Sequence, residues 1–435
     1  MALLFNTLYL LVILTASPYL LVRILLTRRL KPGLSAKLFG TKQVGNPDSS
    51  RRIWFHGVSV GEIHLLSTVI AAFRRRHPDW DCIVSTTTET GMSEARKRFP
   101  DLQVIYWPLD FSWAVRRTLR SLRPQIIVLA ESEIWPNFVH LAQKYSIPVA
   151  IINGRLSPRS ARRYRWLRWL ARPLLFSRIT RFAMQSPEYA SLLRSLGVAK
   201  ARITVTGSVK YDGVLRSHDR ASSQHLARIL GIVPGQRIWV AGSTHAPEEK
   251  IVLQAFRLLH RSHPGLRLML VPRAPARFDE VARLIEDMGF HYVRRSQIQV
   301  PTTGTEPVIL LDSMGELNAA WGLADVGFTG GSLENKRGGQ SMIEPAGLGV
   351  PVVFGPSTWN FRDAAERLIQ AGAARRITSV ESMVVALRQI LDNASLRASM
   401  SQAALDLVQS QQGATARTLD LLDELLGHYL EKQAA

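Results

Sequence analysis

From residue 51 onward, short apolar or β-branched runs alternate with segments of helical length. The runs fall at 53–55, 82–86, 104–107, 126–130, 149–153 and 181–184, with helical patterns at 62–75, 91–98, 111–122, 136–144 and 187–195 between them. Continuous apolar runs separated by helices predict parallel strands covered on both faces, an α/β doubly wound arrangement. Residues 207–236 break the pattern with a polar stretch that carries glycine near both ends. The alternation restarts at 238–241, 267–271, 292–294, 308–311, 326–328 and 351–354. A chain of 435 residues exceeds one ordinary core, so two Rossmann-like domains are expected. The divisions read as a membrane anchor and basic flank (1–30), a first domain (31–215), a second domain (216–380) and terminal helices (381–435). Ligands of such sheets bind beyond the strand carboxyl ends. With two sheets facing each other, that place is the cleft between them.

The polar, glycine-bearing loops follow strands: "HGVSVGE" (56–62), "AESEIWPN" (130–137), "NGRLS" (153–157), "AGSTHAPEE" (241–249), "VPRAP" (271–275), "DSMGEL" (312–317) and the long "TGGSLENKRGGQSMIEPAGLG" (329–349). In the first, the small residues Gly57, Ser59 and Gly61 precede a lone carboxylate, Glu62. An acid in a first helical turn is favoured by the helix dipole. Alternatively, small residues let a substrate approach, with Glu62 facing it as a base. In the longest loop, Gly330-Gly331 and Gly338-Gly339 free the backbone to present N–H groups, and a helix is expected from near Gln340. Such a terminus suits a phosphate. Glu344, one turn inside, suits ribose hydroxyls. Arg273 suits a phosphate or a pyrimidine edge, or a surface ion pair. Met314-Gly315-Glu316 offers backbone to a base, or Glu316 is a neighbour of a helix cap. Neither the G-x-G-x-x-G nor the G-x-x-x-x-G-K-[ST] fingerprint is present. His56, His64 and His245 lack chelating spacing, and Asp110 has no second aspartate beside it, so no metal or cofactor is expected.

A net charge of +21 requires an anionic partner: nucleic acid, anionic lipid or a phosphorylated substrate. The single cysteine, Cys82, rules out an intramolecular disulfide and fits a reducing compartment. Residues 2–22 carry no charge and are long enough to span a bilayer, with basic residues following from Arg23. This predicts a single N-terminal anchor with the rest of the chain on the cytoplasmic side. Asn6 and Pro18 weaken the span and leave an interfacial helix as an alternative. Residues 155–181 hold nine arginines and no acid. Arg162, Arg163, Arg165 and Arg168 are interleaved with Trp166 and Trp169. Either the aromatics pack on the first domain, or the stretch is a membrane-facing, acceptor-side surface.

Taken in order with "TGSVKYD" (206–212) and "GGQSMIEPAGLGVPVVFGP" (338–356), these motifs resemble the bacterial 3-deoxy-D-manno-octulosonic acid (Kdo) transferases, glycosyltransferase family 30. The likeness runs from about residue 51 to 430. It implies the GT-B fold and inverting transfer of Kdo from CMP-Kdo to a lipid A precursor, lipid IVA, at the bacterial inner membrane. It implies Glu62 as the general base and Glu131 and Lys210 as transition-state stabilisers. The CMP contacts it implies are Pro272, Arg273, Met314, Gly315, Glu316, Ser341, Met342, Ile343 and Glu344. Lys210, at the junction of the halves, is placed to meet a Kdo carboxylate or a phosphate on closure. The family's G-G-H-N pattern is replaced here by Gln340 and Ser341, with an extra residue within 334–337. Two competitors explain less. A non-hydrolysing UDP-sugar epimerase needs no membrane anchor, and its motifs are absent. A tethered nucleic-acid binder leaves the strand-end carboxylates without a role, and no nucleic-acid partner is expected.

Overall fold

The computed structural model describes residues 5–11, 14–15, 33–41, 51–216 and 220–434. The chain divides into two units, Met1–Asp212 with Gln412–Ala435, and Gly213–Gln411. In unit 1, seven strands form one sheet in the order β3-β2-β1-β4-β5-β6-β7. They are β1 (Arg52–His56), β2 (Asp81–Thr86), β3 (Gln103–Tyr106), β4 (Ile126–Ala130), β5 (Val149–Gly154), β6 (Arg181–Met184) and β7 (Ile203–Val205). Every pairing is parallel. Parallel neighbours need crossover helices, so both faces are covered. Side-chain alternation along β1 sends Ile53 and Phe55 into one core and Trp54 into the other. The unit 1 helices include α1 (Val60–Arg76), α2 (Glu89–Arg98), α3 (Pro136–Lys144), α4 (Pro158–Trp166) and α5 (Arg168–Leu174).

Unit 2 repeats the plan with the order β10-β11-β9-β8-β12-β13-β14, again parallel throughout. Its strands are β8 (Ile238–Thr244), β9 (Arg267–Pro272), β10 (Tyr292–Arg294), β11 (Val308–Leu310), β12 (Val326–Thr329), β13 (Val352–Phe354) and β14 (Ala374–Arg376). Its helices include α6 (Arg220–Ile229), α7 (Glu248–His260), α8 (Leu317–Trp321), α9 (Ile343–Gly347), α10 (Val380–Asp392) and α11 (Ala394–Ser410). The polar stretch expected as a linker is therefore partly structured, because α6 buries Leu226 in the unit 2 core. The last helix, α12 (Ala414–Ala434), belongs to unit 1, where Leu419, Leu421, Leu422, Leu425 and Leu426 pack beside α1.

The spanning anchor expected over residues 2–22 is not found. No helix among the described residues is long and apolar enough to cross a membrane, and residues 1–4, 12–13 and 16–32 lie outside them. Residues 5–11 are helical but bind unit 1 through polar groups. Asn6 is buried; its Nδ2 donates to Ser112 Oγ (2.7 Å), and its Oδ1 accepts from Ser112 N (3.0 Å) and Asn137 Nδ2 (3.1 Å). Tyr9 Oη donates to Asp110 Oδ2 at 2.8 Å. The asparagine that weakened the span is thus a docking group, with three hydrogen bonds to two residues.

Candidate active site

In unit 1 the sheet delivers three charged groups to one place. Glu131 follows β4 with a left-handed φ of 60°, and its N–H donates to Ile152 O (2.9 Å). Its carboxylate, nearly buried, forms an ion pair with Arg155 (Nε to Oε2, 2.8 Å) and accepts from Lys210 Nζ at 3.4 Å. Asn153, also left-handed at φ 51°, sits where the β5–β6 register breaks. Its Oδ1 accepts from Val209 N (3.1 Å), which fixes the backbone next to Lys210. Lys210 therefore has a carboxylate partner within unit 1. Arg155 was noted only as part of a loop motif. Its place directly after a strand carboxyl end was the available signal.

Glu62 occupies the third position of α1, behind the N-cap Ser59. Its carboxylate accepts from Val58 N (2.8 Å) and Ser59 Oγ (2.9 Å), close to a capping box. Hydrogen bonds to a carboxylate lower its pKa, but burial outweighs them. Burial, assisted by the charges of Glu131 and Glu133, pushes Glu62 up to about 7. The glycines beside it differ in purpose. A Cβ on Gly57 would lie 3.0 Å from Leu66 Cδ1 and 3.1 Å from Glu62 Cβ, whereas Gly61 meets only Ser59 Oγ, at 3.9 Å. Gly57 serves the packing of α1, and the open side lies at Gly61. His56 is no base: buried against Trp107, it is pushed down to about 3 by desolvation.

In unit 2, the first glycine pair does not hold its N–H groups open. Gly331 N (2.6 Å), Ser332 N (2.9 Å) and Leu333 N (3.0 Å) all donate to the buried carboxylate of Glu248, as does His245 N (3.0 Å). Gly339 N and Gln340 N donate back to Gly331 O and Gly330 O. Helix α9 begins at Ile343 rather than near Gln340, so Glu344 lies in its first turn. Burial raises the pKa of Glu344, opposed by a hydrogen bond with Ser341 and by the charge of Arg273. Met342 and Ile343 are buried in the core and can offer only backbone. Pro272 is buried at the end of β9, and Arg273 beyond it is exposed. Met314 is exposed and Gly315 has φ 93°. Glu316 precedes α8 and accepts from Arg295 Nη2 (3.0 Å) and Ser313 Oγ. Among the described residues there is no group of three or more histidine, cysteine or acidic side chains suited to a metal.

The arginine-rich stretch forms α4 and α5. Tyr164 packs on Phe176 (5.2 Å between ring centroids), but Trp166 and Trp169 are 82% and 72% exposed. Arg162, Arg163, Arg165 and Arg168 are exposed as well. The reading in which both tryptophans pack inward does not hold.

Residues 33–213 match the family model described as 3-deoxy-D-manno-octulosonic-acid transferase (kdotransferase). The chain is 32% identical over 376 residues to the 3-deoxy-D-manno-octulosonic acid transferase of Haemophilus influenzae, covering 86% of this chain and 87% of the relative. To the enzyme of that name from Bordetella pertussis it is 34% identical over 384 residues, at the same coverages. The fold resembles that of the UDP-GlcNAc 2-epimerase of Neisseria meningitidis bound to UDP-GlcNAc (TM-score 0.59, 13% identity, 86% of this chain and 100% of that one). A Rickettsia africae glycosyltransferase is similar (TM-score 0.57, 13% identity, 86% and 98%). These two structures bear on the fold alone, a GT-B-like pair of parallel-sheet units. The sequence relatives decide the family, and this chain belongs to the 3-deoxy-D-manno-octulosonic acid transferases.

Proposed function

We propose that the protein transfers Kdo from CMP-Kdo to the lipid A precursor lipid IVA, with inversion, at the cytoplasmic face of the inner membrane. The observation that carries the mechanism is Glu62, half-buried at the open turn beside Gly61 with a pKa of about 7, near a carboxylate held by two cations. A base tuned near neutrality can take a hydroxyl proton and still be regenerated. Glu62 removes the proton of the acceptor hydroxyl. The oxygen forms its bond to the anomeric carbon as the bond from that carbon to the phosphate oxygen breaks, and the electron pair leaves with CMP. Glu131 and Lys210 act as a unit. A substrate oxyanion that draws Lys210 away leaves Glu131 facing the positive charge developing on the sugar.

Unit 2 supplies the donor residues. Arg273 takes the phosphate charge, with backbone from Ser341 to Ile343, because the earlier N–H groups of the loop are held by Glu248. Glu344 accepts from ribose hydroxyls, and Met314–Glu316 faces the base. Exposed Trp166 and Trp169 among Arg162, Arg163, Arg165 and Arg168 support contact of α4 and α5 with an anionic leaflet. The test is incubation with CMP-Kdo and lipid IVA, followed by mass analysis. A lipid product heavier by one or more Kdo units supports the reading, and unchanged lipid rejects it.

A further inference from the structure

Arg155 follows β5 directly, and its backbone is held on both sides. Its carbonyl accepts from Ser132 Oγ, and two residues earlier Asn153 is wholly buried, with its carbonyl accepting from Gln185 Nε2 at 2.8 Å. The guanidinium forms an ion pair with Glu131 (Nε to Oε2, 2.8 Å), and its side chain remains 40% exposed. Neither Nη1 nor Nη2 makes a hydrogen bond among the described residues. Guanidinium presents two parallel donors along that edge, a geometry matched to a carboxylate or phosphate. The charge of Glu131 also raises the pKa of Glu62, so the Arg155–Glu131 pair stands beside the proposed base.

We propose that Arg155 is an oxyanion receptor of the unit 1 site, its Nη edge binding a substrate carboxylate or phosphate while Nε stays on Glu131. The pairing with Glu131 fixes the side chain before substrate arrives, so little rotamer freedom is lost on binding. The donor and the lipid acceptor of the proposed reaction both carry oxyanions, and the assignment rests on that reading only for the identity of the ligand.

The test uses the full chain as wild type, Arg155→Ala, Arg155→Lys and Arg96→Ala, an exposed arginine on α2 that serves as a charge control. Melting temperature is followed during titration with inorganic phosphate against potassium chloride of equal ionic strength. Phosphate should raise it in wild type and Arg96→Ala, less in Arg155→Lys and least in Arg155→Ala. Initial rates are then measured with CMP-Kdo and lipid varied separately. Arg155→Ala should raise one KM about tenfold or more, the loss of one charge-assisted contact, and which KM rises identifies the source of the oxyanion. Arg155→Lys should recover part of that KM. A phosphate response in Arg155→Ala equal to that of Arg96→Ala, or both KM values within about twofold of wild type, overturns the proposal. An Arg155-dependent phosphate response in a protein that transfers no Kdo refutes the reaction and leaves the receptor standing.

Discussion

Glu62 accepts two hydrogen bonds yet ionises later than an ordinary glutamate, because removing its charge from water outweighs both. Two consequences are measurable. Activity limited by proton transfer should rise with pH through about 7 and then level off, and Glu62→Ala should lower turnover roughly 10²- to 10⁴-fold while leaving CMP affinity unchanged. Stability has the opposite slope. The folded pKa lies above the ordinary 4.5, so the folded chain holds this proton more tightly. The contribution is full below 4.5 and is lost as pH rises through about 7. Urea midpoints of wild type and Glu62→Gln should therefore diverge across that window and run parallel above it. In unit 2, Arg273→Ala should weaken CMP binding by about 1.5–3 kcal/mol, read by calorimetry. An unchanged affinity would remove Arg273 from the pocket.

Among the elements, the loop after β12 shows a carboxylate standing where a ligand phosphate was expected. Glu248→Ala would leave three buried N–H groups and one half-buried one without an acceptor, at about 1–3 kcal/mol for each buried group before relaxation. The loss should appear in chemical denaturation as a much earlier unit 2 transition, with weakened CMP binding. A transition at the wild-type midpoint would mean that the loop is held by other contacts. Replacing Arg162, Arg163, Arg165 and Arg168 by Ser should abolish salt-sensitive binding to anionic vesicles and raise the KM for lipid, because each basic group near such a surface contributes about 1 kcal/mol. Sedimentation with vesicles checks this. The interior strands were legible in the sequence because burial on two faces demands continuous apolar runs. Two edge strands were not. β7 carries exposed Thr204 and Val205, and β14 carries Arg375 and Arg376, since an edge needs no such run. The places of Glu62 at a helix start and of Glu131 just beyond a strand were legible, but their partners were not. The Arg155–Glu131 pair and the capture of N–H groups by Glu248 join residues distant in sequence through turns that no local pattern specifies.

For the molecule as a whole, the chain enters unit 2 after Asp212 and leaves it after Gln411, so unit 2 is an insertion within unit 1. Asp212 closes the insertion. Its Oδ1 accepts from Gly413 N (2.8 Å) and its Oδ2 from Thr415 N (2.5 Å), capping the start of α12. Asp212→Ala should cost about 1–2 kcal/mol, as for other lost caps, and calorimetry should show it in the unit 1 transition alone. A shift confined to the unit 2 transition would contradict this division. The insertion also sets an order of events during synthesis. Unit 2 has all its residues once position 411 has left the ribosome, but the side of α1 that the α12 leucines cover waits for residues 414–426. Until then, the apolar face of α1 is exposed to water in a nascent chain whose later half can already be folded. A chain stalled just short of α12, like one stalled at residue 212, is thus an aggregation hazard, and synthesis of the leucines at 419–426 is the step that removes it.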